Sequence, residues 1–187
     1  MNKLVIFGIG QIAELAHHYF THDSDHEVVG FTVDGAYVNE DRIAGLPVCP
    51  FEDVAAAFAP NEHSMFVALG YTQLNQLRTD KVAAARSKRY TLARYISSRA
   101  AVAQPERIGE HCFILEDSTV QPFVTVGDNV FVWSWAHIGH HGRVGDNCFL
   151  SPCCIAGNVT IGANSFVGVG ATVRDKLILG ERCVIGA

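Results

Sequence analysis

VWSWAHIGHHGRVGDNCFL, residues 132–150, places an aliphatic side chain at Val132, Ile138, Val144 and Leu150, one every six residues. The frame extends backward through Val126, Val120, Ile114, Ile108 and Val102 to Ile96. After one five-residue step, LSPCC, it resumes at Ile155 and runs through Ile161, Val167, Val173 and Leu179 to Ile185. Glycine directly follows the aliphatic residue at Gly109, Gly127, Gly139, Gly145, Gly162, Gly168, Gly180 and Gly186. Four places after it the side chain is small or β-branched, as at Cys112, Ser118, Val124, Val130, Ala136, Cys148, Ser165 and Ala171.

These three recurrences, the glycine at half of the rungs, sustained over roughly ninety residues, are the signature of a parallel β-helix. Each hexad forms one face of a triangular coil with its aliphatic residue on the axis, and glycine is expected to relieve strain at the turn. A lone coil cannot bury its aliphatic row. Stacked neighbours bury it, at about 1.5–3 kcal/mol per side chain. The small fourth position accounts for Cys112, Cys148 and Cys183 as interior packing. The short step LSPCC is either a tolerated deletion in one turn or the shaper of a pocket beside it.

Residues 1–95 are written differently and form a separate small α/β domain in front of the β-helix domain, residues 96–187. KLVIF reads as a buried strand ending at Gly8-Ile9-Gly10, and QIAELAHHYF carries apolar residues at helix spacing. EVVGFTV is a second strand ending at Asp34, PVCPFEDVAAAF turns into a short helix, SMFVALG is a third strand, and the text from Thr72 to Tyr95 is helical and basic. Strands alternating with helices make a Rossmann-like parallel unit.

Gly8-Ile9-Gly10-Gln11-Ile12-Ala13 is a GxGxxA run at the strand-to-helix junction. That is the context for a pyrophosphate on a helix N-terminus, with Asp34 reaching a ribose or base. Gly8, Gly10, Gln11, Ile12 and Asp34 are therefore candidate nucleotide contacts; a tight structural turn and a dinucleotide site are the alternatives. Tyr71, Asn75 and Arg78 follow the third strand, where parallel sheets place ligands, and Arg78 either meets a phosphate or lies on a solvated helix face.

The 187 residues are 49% hydrophobic and 18% charged, a globular composition, and the net charge of −5 leaves no electrostatic footprint for nucleic acid or an acidic membrane. The apolar run from Leu4 to Ile9 is too short to span a bilayer and lacks a cleavage site, so neither membrane insertion nor a signal peptide is expected. None of the six cysteines forms a CxxC pair, which fits buried thiols in a reducing cytoplasm and weakens a zinc or redox motif.

On the hexad text, together with VIFGIGQIAELA, VALGYTQLNQLR and WAHIGHHGRVGDNCFLSPCCIAGNVTIG, the chain resembles the left-handed β-helix acyltransferases. Within them it is similar to the sugar acyltransferase family that includes the bacterial PglD and NeuD proteins, over essentially its whole length. The resemblance implies a left-handed coil, a homotrimer, and transfer of an acetyl group from acetyl-CoA to an amino or hydroxyl group of a nucleotide-linked sugar, in surface-polysaccharide or glycan synthesis. It implies a nucleotide-sugar, and not NAD, at the front glycines.

The resemblance makes His140, two places after Ile138, the general base. A histidine titrating near neutrality suits that work without drastic tuning. The family often has an acidic residue next, where this chain has His141, so the orienting partner is left among Glu116, Asp117 and a backbone carbonyl. The family likeness also sets the Gly157 amide against the acetyl carbonyl, where developing negative charge needs a fixed N–H. Counting one shortened coil from His140 reaches the same residue.

His137 and His141 are candidate substrate contacts, and Asn158 and Arg174, with Gly157, candidate acetyl-CoA contacts. No metal site is expected, yet two rivals stay open: a zinc-dependent hydratase like the β-helix carbonic anhydrases, and a catalytically silent nucleotide-sugar-binding scaffold. Trp133 and Trp135, alternating about Ser134, are expected on one side of a strand, lining a cleft or a subunit contact.

Overall fold

The apolar runs near the front pair as a sheet. In the computed structural model, which describes residues 2–187, strands β1 (Asn2–Phe7), β2 (His26–Val33), β3 (Arg42–Ile43), β4 (Leu46–Pro50), β5 (His63–Val67) and β6 (Thr91–Leu92) lie in the order β3-β4-β2-β1-β5-β6. All neighbours are parallel except β3 and β4. Leu4 to Phe7 of the central β1 are buried, as an unbroken apolar run in a parallel sheet requires. Helices α1 (Gln11–His22), α2 (Val54–Ala57) and α3 (Gln76–Ser87) complete the elements, and α1 buries Ala13, Ala16 and Phe20. Two stretches differ from expectation. The start of PVCPFEDVAAAF is strand β4, because Val48, Cys49 and Pro50 extend the sheet beyond β2. The text from Thr72 to Tyr95 is helical only over α3 and then rejoins the sheet as β6.

Beyond β6 the strands are two residues long and stack in three parallel sheets. One face contains Thr119–Val120, His137–Ile138 and Cys154–Ile155; the second contains Thr125–Val126, Arg143–Val144 and Thr160–Ile161; the third contains Phe113–Ile114, Phe131–Val132, Phe149–Leu150 and Phe166–Val167. Across LSPCC the coil is one residue shorter, and His137 still pairs with Cys154, Phe149 with Phe166. The deletion keeps the stack in register. Every aliphatic rung from Ile108 to Val173 lies in one buried cluster, with Ile96, Val102, Leu179 and Ile185 packed against it.

The turns work differently from the glycine expectation. Left-handed backbone falls on the third residue after the rung: His111, Asp117, Phe123, Asn129, Trp135, His141, Asn147, Asn158 and Asn164 all have positive φ. Asn, Asp and His tolerate that region best, which accounts for most of these choices. Glycine, two places earlier, permits close stacking. A Cβ on Gly109 would lie 2.5 Å from the Gly127 carbonyl oxygen, and one on Gly162 would lie 2.5 Å from the Gly180 carbonyl carbon.

Two-residue strands also correct the reading of the tryptophans. Trp133 to Trp135 form a turn, so strand alternation does not apply to them. Trp133 stacks on Phe149 with ring centroids 5.3 Å apart, whereas Trp135 stands at a left-handed corner, 74% exposed.

The third face carries a column of aromatic rings just before its inward rungs: Tyr95, Phe113, Phe131, Phe149 and Phe166. The first four are buried. Residues 71–79 close over this column, and they group with residues 94–187, whereas residues up to Gly70 group with 80–93. The Tyr71 ring packs 5.0 Å from Phe149 and 4.7 Å from Phe166, and the Asn75 amide donates to the Ser165 carbonyl at 3.2 Å.

Arg78 is fully buried, its guanidinium 4.2 Å above the Phe131 ring. Its Nε donates to Asn129 Oδ1 at 2.9 Å, and its Nη2 donates to the carbonyls of Asn129 at 3.2 Å and Cys148 at 3.1 Å. Burial pushes the guanidinium down to about 9, so it stays charged at neutral pH, held by those oxygens. Arg78 and Asn75, expected as substrate contacts, have no exposed surface to offer a ligand. An aromatic column that needed a lid claimed them instead. Tyr71 remains half-exposed at its edge.

Candidate active site

His140 and His141 sit at one corner of the coil, between the face of His137–Ile138 and that of Arg143–Val144. His140 holds the second place after the rung Ile138 and is exposed. Its carbonyl accepts the Asn158 N–H at 2.8 Å from the next coil, and its own N–H donates to Gln121 Oε1 at 2.9 Å from the coil before. Gly157, in the second place one coil on, lies against the ring. A Cβ there would stand 2.7 Å from both Cε1 and Nε2 of His140. The absent side chain therefore sets where the imidazole rests, with its Nε2 edge over backbone.

Second-place amides at the corners lie outside the coil-to-coil ladder; some find side-chain acceptors, while those of Ser134, Asp146 and Ala163 find none among the described residues. Glu110 donates its N–H to Asp128 Oδ1, Asp128 to Asp146 Oδ1, and His140 to Gln121. Among the described residues the Gly157 N–H enters no such bond. It is a fixed donor beside a histidine nitrogen, the pairing that acyl transfer uses. Gln121 also lines a depression of about 430 Å³ with Ala101, Ala103, Thr119 and Pro122. Sequence reasoning passed over Gln121, although it occupies the matching corner one coil before Gly139.

His141 has positive φ and packs its ring 4.6 Å from Phe123. Its Nδ1 lies 3.1 Å from His140 Nδ1. Glu116 and Asp117, weighed as orienting partners of His140, belong to a different corner. Glu116 accepts from Ser134 Oγ at 2.9 Å, and Asp117 pairs with Arg99 at 2.8 Å. His137 lies on a flat face, in register between Thr119 and Cys154, and not at a corner. Asn158 follows Gly157 at the same corner, and the exposed Arg174 stands there one coil further on.

In the front unit Gly8 has φ +120°, and a Cβ on it would meet the Ala68 carbonyl oxygen at 2.9 Å, so only glycine fits. Gly10 caps α1 with no side-chain hydrogen bond, and Gln11 and Ile12 open the helix. First-turn amides left without a side-chain cap are suited to an anion. Asp34 closes β2, and its Oδ1 accepts from Lys81 Nζ at 2.6 Å. No pattern in the sequence marked Lys81, because its contact with Asp34 is made across the fold. The Asp34 carboxylate, expected to reach a ribose or base, is thus already held on one side by a cation.

Among the described residues no three His, Cys, Asp or Glu side chains converge where a metal ion would fit, so a zinc hydratase would need ligands from several copies. Also among them, no helix is long and apolar enough to cross a membrane.

Hexad rungs, three stacked sheets of two-residue strands and an α/β unit in front define a hexapeptide-repeat β-helix protein. Its likenesses agree. The family described as bacterial transferase hexapeptide (six repeats) matches residues 107–140, and the hexapeptide repeat of succinyl-transferase matches residues 158–187. The acyl-[acyl-carrier-protein]–UDP-N-acetylglucosamine O-acyltransferase of Campylobacter concisus (strain 13826) is 30% identical over 86 residues, covering 42% of this chain and 33% of its own. That of Sinorhizobium fredii (strain NBRC 101917 / NGR234) is 31% identical over 87 residues, covering 42% and 32%. The match thus spans about a third of the length of these curated relatives.

Among solved structures, a histidine-to-asparagine variant of perosamine N-acetyltransferase from Caulobacter crescentus, in complex with CoA and GDP-perosamine, aligns with TM-score 0.86 at 24% identity, over 100% of this chain and 87% of that one. The acetyltransferase domain of PglB from Neisseria gonorrhoeae FA1090 aligns with TM-score 0.80 at 22% identity, over 100% and 89%. The fold is therefore the left-handed parallel β-helix behind an N-terminal α/β unit, as the resemblance implied.

Proposed function

We propose that the protein is an acetyltransferase that moves an acetyl group from acetyl-CoA to an amino or hydroxyl group of a nucleotide-linked sugar, in surface-polysaccharide or glycan synthesis. The observation that carries this reading is the His140 imidazole resting over Gly157, whose N–H is uncommitted. His140 Nε2 takes the proton of the acceptor as its nitrogen or oxygen attacks the thioester carbonyl. The new bond to carbon forms, the Gly157 N–H steadies the carbonyl oxygen, and the C–S bond breaks. The departing CoA sulfur then receives the proton from His140.

Asn158 and Arg174, on the same corner, line the side from which acetyl-CoA approaches, and His137 faces the acceptor. The front unit holds the nucleotide at Gly8, Gly10, Gln11, Ile12 and Asp34. The working form is a cytoplasmic homotrimer. The complex of perosamine N-acetyltransferase with CoA and GDP-perosamine supports pairing these two ligand classes on this fold.

Thiol release from acetyl-CoA, screened against UDP-, GDP- and dTDP-linked amino sugars, tests the reading. One acceptor should release thiol, and the His140→Ala variant should lose about 10²–10⁴-fold in turnover, the range for a general base. Turnover surviving within about tenfold rejects His140 as the base. Activity that needs bound metal and vanishes on chelation favours the hydratase, and binding without thiol release favours the scaffold.

A further inference from the structure

We propose that His141 is the positioning residue for His140, holding it through a neutral imidazole-to-imidazole hydrogen bond. The inference rests on the base reading of His140 given above. Two Nδ1 atoms 3.1 Å apart cannot both carry protons, nor can both be bare if the contact is a hydrogen bond. One donates and the other accepts. Of the two arrangements only one leaves His140 able to act: its Nδ1 carries the proton and donates to His141, and its Nε2, over Gly157, keeps the lone pair. His141 is held for that task by its left-handed backbone and by the Phe123 ring 4.6 Å away.

The carboxylates that might have done the orienting, Glu116 and Asp117, are committed to Ser134 and Arg99 at another corner. A neutral acceptor differs from a carboxylate in one consequence. It fixes the tautomer without adding a negative charge that would draw a proton onto His140.

Three substitutions separate these roles. His141→Phe keeps a ring on Phe123 and a side chain that the same turn position already accepts at Phe123, but removes the acceptor. His141→Asn restores an oxygen where Nδ1 stood and does not titrate. His141→Glu supplies a charged acceptor. With acetyl-CoA and the acceptor found in the screen, the Phe variant should lose about 10- to 100-fold in kcat with KM for acetyl-CoA unchanged. The Asn variant should recover most of that loss. The Glu variant should move the acidic limb of the pH–rate profile to higher pH, because a carboxylate favours the protonated base.

Long-range proton–nitrogen NMR of the wild-type protein gives a readout independent of turnover: His140 should carry its proton on Nδ1, and in the Phe variant it should shift toward Nε2. Equal losses in all three variants, or full kcat in the Phe variant, or an unchanged tautomer overturns the inference. The His140→Ala variant keeps the two ideas apart. If it stays active the base reading fails; if it collapses while the Phe variant does not, only the role of His141 fails.

Discussion

Replacing Gly157 by alanine adds one methyl group at the point where the proposed chemistry is most crowded. That methyl carbon would stand 2.7 Å from Cε1 and Nε2 of His140. Carbon and nitrogen settle near 3.5 Å, so the ring edge must retreat by about 0.8 Å. The backbone has no reason to move instead, because Gly157 is not in the left-handed region and its neighbours are fixed by coil-to-coil bonds at Asn158 and Lys176. Displacing a reacting group by about 1 Å costs on the order of 100-fold in rate. The Gly157→Ala variant should therefore fold normally, with thermal unfolding within about 2 °C of the parent, while kcat for thiol release falls by roughly two orders of magnitude. Affinity for the nucleotide proposed for the front unit, measured by calorimetry, should not change. A variant that turns over at the parental rate would mean that the imidazole does not work from the place where Gly157 holds it.

The buried lid and the thiols give two further tests. Arg78→Leu removes the charged donor from the oxygens of Asn129 and Cys148 and its cation from over the Phe131 ring, and should cost about 3–5 kcal/mol in urea unfolding; undiminished nucleotide binding at low denaturant would confirm that Arg78 holds no phosphate, and a lost affinity with unchanged stability would reverse that conclusion. Burial pushes the thiols of Cys112 and Cys153 up to about 12 and that of Cys148 up to about 11, so all three remain protonated and inert at pH 8, while the exposed Cys154 reacts. Mass spectrometry after iodoacetamide should find Cys154 alkylated first and the three buried thiols only after denaturation; early labelling of Cys112 would contradict the core.

The rungs were legible because each aliphatic residue depends only on the coil it belongs to and the two that flank it, so a period of six survives in the text. That Gly157 lies against His140 was legible for the same reason, since counting coils is counting residues, although the resemblance and not the count singled out His140. What the glycines do was not, because close stacking and left-handed turns both favour glycine in composition, and only the backbone separates Gly109 from His111. The aromatic column of Phe113, Phe131, Phe149 and Phe166 was present in the sequence as one ring per coil, ahead of the rung on every third face, and a search by coil rather than by hexad would have found it. The burial of Arg78 and the pairing of Lys81 with Asp34 lay beyond reach. Both depend on partners far along the chain, which no local pattern encodes.

The lid over that column also bears on how the chain can be divided. A fragment cut at the first hexad would leave a strip of phenylalanine rings facing water along one side of the prism, a surface that invites self-association. Residues 71–79 group with residues 94–187, and any recombination that respects the repeat but not this short segment would carry an oily seam with it.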